Sequence, residues 1–299
     1  MTRTLVFATA LTVILGSAVF SSPQISYAGT VTGINALVNE KSITETAAQS
    51  DRRALREFYA KRFPDLPPEA HKDGVYAFDE NAREQWLELE DFPPYEIAID
   101  EGEELYEAAF ADGTHYSDCF DDGAVKGRFP YFDEARAEVI TLELAINDCR
   151  SQHGEQPLSY SGPEITRLTA YMAFLSRGQI IAVAEPQSEG ELAAYETGKR
   201  FYTSRRGQLN FACTSCHVQL AGNRLRAERL SASLGHVTQW PVYRLKWQDV
   251  GSLHRRFARC NQQVGAVAFE RQSVEYRNLE YFLTYISNGL PLNGPAIRK

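Results

Sequence analysis

Cys213-Thr214-Ser215-Cys216-His217 decides how the rest of this 299-residue chain is read. Its spacing is C-x-x-C-H. Two thiols on one helical turn can each add across a haem vinyl group, and the next residue then brings an imidazole under the iron. The competing reading is a disulfide or half a zinc site that happens to precede a histidine. It lacks a second C-x-x-C to complete four cysteine ligands. The stretch therefore points to one covalently held haem c, attached through Cys213 and Cys216, with His217 as proximal ligand.

Upstream, Gly198-Lys199-Arg200-Phe201-Tyr202 leads through Gly207 to Cys213. The same pattern occurs earlier, where Gly102-Glu103-Glu104-Leu105-Tyr106 leads through Gly113 to Cys119. A segment with apolar residues at three- and four-residue spacing closes each half, Glu164–Ser176 and Glu275–Ser287, and a glycine follows each. A charged helix is expected over Asp51–Phe63, broken by Pro64, Pro67 and Pro68. Few runs alternate with period two. The expected fold is mainly α, with two cytochrome c-like domains at 51–178 and 192–299 and a linker at 179–191. The first domain has no haem, because Cys119-Phe120-Asp121-Asp122-Gly123 puts Asp122 and Gly123 where the second cysteine and the histidine would stand.

With 31 Lys/Arg against 39 Asp/Glu the net charge is −8, which argues against nucleic acid as a partner. At the N-terminus Arg3, the apolar run Leu5–Phe20 and the small residues Ser26 and Ala28 read as a signal peptide over 1–28. The run is shorter than the roughly 20 apolar residues of a span, so no stable membrane anchor is expected. A flexible lead-in follows at 29–50. Export to the periplasm would place the chain where disulfides persist.

Cysteine counting then becomes informative. Of five cysteines, two are assigned to haem. Cys119 has its natural partner in Cys149, and two free thiols are the alternative. The bond would close a loop of about thirty residues and stabilise by roughly 3–4 kcal/mol in the chain-entropy model. Cys260 is left over, as an intermolecular bridge, an inert thiol, or a reactive or ligating thiolate. Arg255, Arg256 and Arg259 lie within five residues of it, and cations beside a sulfur favour the thiolate. From Cys213 to Cys260 there are eight Lys/Arg (Arg224, Arg226, Arg229, Arg244, Lys246, Arg255, Arg256, Arg259) against Glu228 and Asp249. This bracket of the haem motif reads as an anion-binding mouth rather than only a solvated face. Met172, on the apolar face of a closing helix, reads as core, leaving His236, His254 and Cys260 as downstream candidates for the second iron ligand. His236 and His254 also have plainer readings, as propionate contacts or surface polar residues. Trp240 and Trp247 are candidates to pack on the porphyrin.

At these residues the sequence resembles the SoxA family, the haem-bearing subunit of the L-cysteine S-thiosulfotransferase (SoxAX), in its single-haem type. The likeness is densest in Cys213–His217, Arg224-Leu225-Arg226, Trp240–Trp247, Leu253–Arg256, Cys260-Asn261 and Tyr276–Gly294. Pro130–Asp133 and Thr141–Asn147 also share it. The resemblance implies that Cys260 is the distal iron ligand and the catalytic sulfur, modified to a persulfide in this family. It implies Arg256, with Arg226 as a second candidate, as the substrate-binding residues. It also implies a SoxX cytochrome partner in a heterodimer, and a SoxYZ carrier whose cysteine receives thiosulfate with release of two electrons. Thiolate ligation leaves two roles for the iron, electron acceptor or tuner of the sulfur. Two competing classes are a plain electron-transfer cytochrome and a structural subunit whose haem is only a folding core. Dependence of turnover on Cys260 and Arg256 separates them from the transferase.

Overall fold

Thr46 opens the first helix. Its hydroxyl accepts from the Gln49 N–H at 3.2 Å while the Gln49 side chain accepts from the Thr46 N–H at 3.0 Å. This reciprocal cap starts α1 (Ala47–Arg62) four residues before the expected Asp51. The computed structural model describes residues 45–226 and 228–298. The export segment 1–28 and the lead-in up to residue 44 lie outside the described residues.

After a 3-10 turn at Pro68–Ala77 come α2 (Glu80–Glu90), α3 (Glu96–Glu107) and the single turn α4 (Ser117–Phe120). An antiparallel hairpin, β1 (Tyr131–Asp133) and β2 (Glu138–Ile140), leads into α5 (Leu142–Gln152) and α6 (Pro163–Leu175). The second half runs through α7 (Glu189–Thr203), a π-helical turn at Ser215–Gln219 and the small hairpin β3 (Arg224–Leu225) and β4 (Glu228–Arg229). The hairpin β5 (Val242–Arg244) and β6 (Asp249–Gly251) follows, then α8 (Leu253–Gln263), α9 (Val274–Ile286) and β7 (Ala296–Arg298). The fold is mainly α, as the sequence implies.

The repeat extends further than the sequence pattern. In each half a glycine-bearing helix crosses a closing helix, α3 on α6 and α7 on α9. A Cβ on Gly102 would lie 2.3 Å from the carbonyl oxygen of Arg167, and one on Gly198 would lie 2.0 Å from that of Asn278. Only glycine permits so close an approach of two backbones. Each hairpin then feeds a hydroxyl-capped helix. Thr141 Oγ accepts from the Leu144 N–H at 3.2 Å, and Ser252 Oγ from the Arg255 N–H at 3.3 Å.

α9 is buried on every side, with Tyr276, Tyr281 and Tyr285 almost fully out of water. Each such ring contributes about 2–3 kcal/mol of hydrophobic free energy. Two charged residues of α9 are paired in place: Arg277 binds Glu138 at 2.6 Å, and Glu280 lies 2.9 Å from His254 Nε2.

Three contacts fuse the halves. The connecting segment 179–191 is not a free strap. Ile181 and Val183 are buried, and the backbone of Gln179 and Ile181 pairs with Leu292, Gly289 and Leu290, because two apolar side chains there seek the core. β7 pairs in parallel with β5, and Ile297 packs with Tyr76, Trp86 and Tyr95 of the first half. α1 lies on α9 of the second half, where Leu55 joins its core. From Glu45 onward the chain forms one compact unit. No helix among the described residues is long and apolar enough to cross a membrane.

Candidate active site

The haem motif sits at the end of the α7 arm, where the backbone widens into the π-helical turn carrying Ser215–Gln219. Cys213, Cys216 and Cys260 are free, half-buried thiols. Cys213 packs against the core that includes Tyr202 and Phe257. Burial pushes the Cys213 thiol up to about 12, with Cys260 the next contributor. Burial also raises Cys216, followed by Cys260, while Arg256 acts in the opposite sense. Cys260 therefore stands within electrostatic reach of both motif cysteines.

His217 shows why an imidazole belongs here. Its Nδ1 lies 2.9 Å from the Ser231 carbonyl oxygen, which can only accept, so Nδ1 carries the proton and donates. Burial, more than the Arg256 charge, pushes the imidazolium down to about 4, partly offset by the Ser231 carbonyl. The ring is thus neutral with its Nε2 lone pair available to a metal, and the other nitrogen is held as metal-ligating histidines are held. His236 Nε2 is 3.0 Å from the same Nδ1 and 3.1 Å from Ser231 Oγ. From α1, the Tyr59 hydroxyl donates to the His217 carbonyl oxygen at 2.6 Å and meets Ser233 Oγ at 2.7 Å. Tyr59 gave no sequence signal, since it lies over 150 positions from the motif.

Leu209, Phe211 and Leu220, within four residues of the motif on either side in the chain, are exposed apolar side chains. Two thiols, a neutral imidazole with a free ring nitrogen and these apolar neighbours fit a haem c.

α8 delivers the second sulfur. Its core face carries Leu253, His254, Phe257 and Asn261. His254 Nδ1 accepts from the Gln272 N–H at 3.0 Å, and Asn261 Nδ2 donates to the Tyr276 hydroxyl at 2.8 Å. His254 is therefore a buried clamp between α8 and α9, not a group facing the haem motif. The clamp leaves Arg256 and Cys260, one turn apart, half-buried on a neighbouring face.

The arginines divide into roles that the sequence run did not separate. Arg224 and Arg229 both bind Asp79, at 2.8 and 3.0 Å, and Arg244 reaches Glu228 at 3.4 Å. Arg255 lies over the Trp247 ring at 4.1 Å, so Trp247 packs on guanidinium rather than standing free. Trp240 packs against the second-half core. Arg226 is exposed on the β3–β4 turn with φ 58°. Arg256 acts electrostatically on Cys216, His217, Arg244 and Arg298.

In the first half, Cys119 and Cys149 are bonded, S–S 2.05 Å. Met172 is fully buried core, as its helix face implied. A mainly α chain with a haem motif, a second half of the same plan and a reserved thiol is a c-type cytochrome.

Comparison with known proteins narrows this class. The family model for the SoxA/TsdA cytochrome c domain matches residues 101–181, the half without C-x-x-C-H. The L-cysteine S-thiosulfotransferase subunit SoxA of Allochromatium vinosum is 54% identical over 259 residues, covering 86% of this chain and 92% of that protein. The subunit of the same name from Chlorobaculum tepidum is 48% identical over 266 residues, covering 89% and 91%. The crystal structure of SoxXA from P. pantotrophus superposes with a TM-score of 0.66 at 26% identity, covering 72% of this chain and 84% of that one. The chain belongs to the SoxA family of L-cysteine S-thiosulfotransferase subunits. Its relatives are named for a transferase and not for a simple electron carrier.

Proposed function

We propose that the chain acts in the periplasm, after removal of residues 1–28, as the catalytic subunit of an L-cysteine S-thiosulfotransferase. In this reading Cys213 and Cys216 would hold a single haem c covalently, and His217 and Cys260 would ligate its iron. Residues 192–299 are the haem-binding part and 51–178 its haem-less counterpart. A small c-type cytochrome of the SoxX type is the partner that takes up electrons, and a SoxYZ-type carrier supplies the acceptor cysteine.

The reaction joins the sulfane sulfur of thiosulfate to the carrier thiolate. One sulfur–sulfur bond forms, a thiosulfonate monoanion results and two electrons leave. Arg256 binds the thiosulfate dianion, with Arg226 on the exposed turn as the second contact, because a guanidinium offers paired donors to an oxyanion. Cys260, as thiolate or persulfide, is the nucleophile of the sulfur–sulfur step. The neutral His217, its Nδ1 fixed by the Ser231 carbonyl, would offer its free ring nitrogen to the iron. When bound, the haem supplies a redox couple beside the sulfur.

The observation that carries this reading is the pairing of Cys260 with Arg256 on one face of α8, within electrostatic reach of both motif cysteines. The test is thiosulfate-dependent reduction of the partner cytochrome in the presence of the carrier, for wild type and Cys260→Ser. The transferase reading requires the variant to keep its haem and lose turnover. Retained turnover would leave a carrier cytochrome.

A further inference from the structure

The haem-less half carries a second sulfur site that the transferase reading does not use. Cys119 Sγ lies at the surface, 3.8 Å from His153 Nε2, while Cys149 is buried. One ring nitrogen of His153 and both sulfurs lie within 4.8 Å of one another. The far side of the imidazole is held: Nδ1 is 2.8 Å from Asp112 Oδ2 and 2.8 Å from Thr114 Oγ1, and the ring stacks on Phe110. His153 is also the C-cap of α5. Thr114 first, then His153, hold Asp112 down to about 2, so the carboxylate beside the imidazole is charged. A disulfide that served only as a staple would need no carboxylate–imidazole pair aimed at its exposed sulfur.

We propose that Cys119–Cys149 is a thiol–disulfide exchange site for a dithiol reductant, with Cys119 as the exchanging sulfur, Cys149 as the resolving sulfur, and Asp112 and His153 as the proton relay. A thiolate of the reductant attacks the exposed Cys119 sulfur. The Cys119–Cys149 bond breaks, its electron pair goes to Cys149, and that sulfur takes the proton given up by the attacking thiol. The reductant's second thiol then displaces Cys119, and that thiol's proton passes to the Cys119 sulfur through His153 Nε2, 3.8 Å away. The products are two protein thiols and one disulfide of the reductant. Such exchange is faster when the leaving sulfur is stabilised.

The test uses the folded, haem-bearing chain with dithiothreitol as the probe. Exchange is quenched with an alkylating reagent and followed by peptide mass, and the haem absorption confirms the fold. Reduction should proceed without denaturant, and Cys119 should be alkylated before Cys149. At neutral pH His153→Gln should slow reduction by about tenfold or more, and Asp112→Asn should slow it less. A disulfide that opens only in denaturant, first labelling at Cys149, or an unchanged rate in His153→Gln would overturn the proposal. The labelling order needs no substitution, so a misfolded variant does not shield it.

Discussion

Cys149 and Cys260 occupy the same place in the two halves of the molecule. Each is the eighth residue of an eleven-residue helix entered from a hairpin through a hydroxyl cap. In the first half that sulfur is bonded to Cys119, and in the second it stays free within electrostatic reach of Cys213, the counterpart of Cys119. The first half has bonded the two positions that the second leaves as free thiols.

Chain made without haem attachment in an oxidising compartment should follow the same geometry. Peptide mapping under non-reducing conditions should find Cys213 joined to Cys260 in preference to Cys216. Joining within the motif instead would show that the two halves differ in backbone placement.

The crossing of α7 and α9 rests on Gly198. An added methyl meets the Asn278 carbonyl oxygen at 2.0 Å, and backbone cannot step aside as a side chain can. Gly198→Ala should cost about 2–3 kcal/mol, read as a drop in denaturant midpoint. Gly102→Ala should behave alike against Arg167.

Arg256→Ala should raise the KM for thiosulfate by about ten- to a hundredfold, the range of a hydrogen bond to a charged group. kcat should change less, and the haem absorption should stay intact. Arg224→Ala removes only an exposed contact to Asp79 and should leave KM unaltered. Steady-state kinetics of the two variants side by side make the comparison.

His71 gives the fold an acid-sensitive point. Its ring lies between Tyr59 and Phe78, and its Nδ1 has no partner. Burial first, and Arg56 second, push it down to about 4 from 6.5. The unfolded chain therefore binds the proton more readily, and stability falls as pH drops from about 6.5 towards 4. The loss approaches about 3 kcal/mol. In His71→Phe that part of the pH profile of the urea midpoint should flatten.

The sequence made the haem motif, the missing motif in the first half, both closing helices and the Cys119–Cys149 pair legible, because each depends on residues close in the chain or on cysteine count. What stayed hidden depends on distant approach. Tyr59 grips the His217 carbonyl from a helix near the start of the described chain. His236, which the sequence offers as a candidate iron ligand or a propionate contact, lies instead 3.0 Å from the His217 Nδ1. The basic run overstated the free charge, since Asp79 claims two of its arginines from far upstream. The second part of the repeat escaped notice because Thr141–Cys149 and Ser252–Cys260 share little beyond the capping hydroxyl, one leucine and the cysteine.

The central claim is that the Cys260 sulfur caps the iron opposite His217. Electron paramagnetic resonance of the ferric chain tests it directly, comparing wild type with Cys260→Ser. The account predicts a low-spin thiolate signature in the wild type that disappears in the variant while the haem remains covalently attached. A spectrum with nitrogen as sixth ligand, unchanged by the substitution, would contradict it.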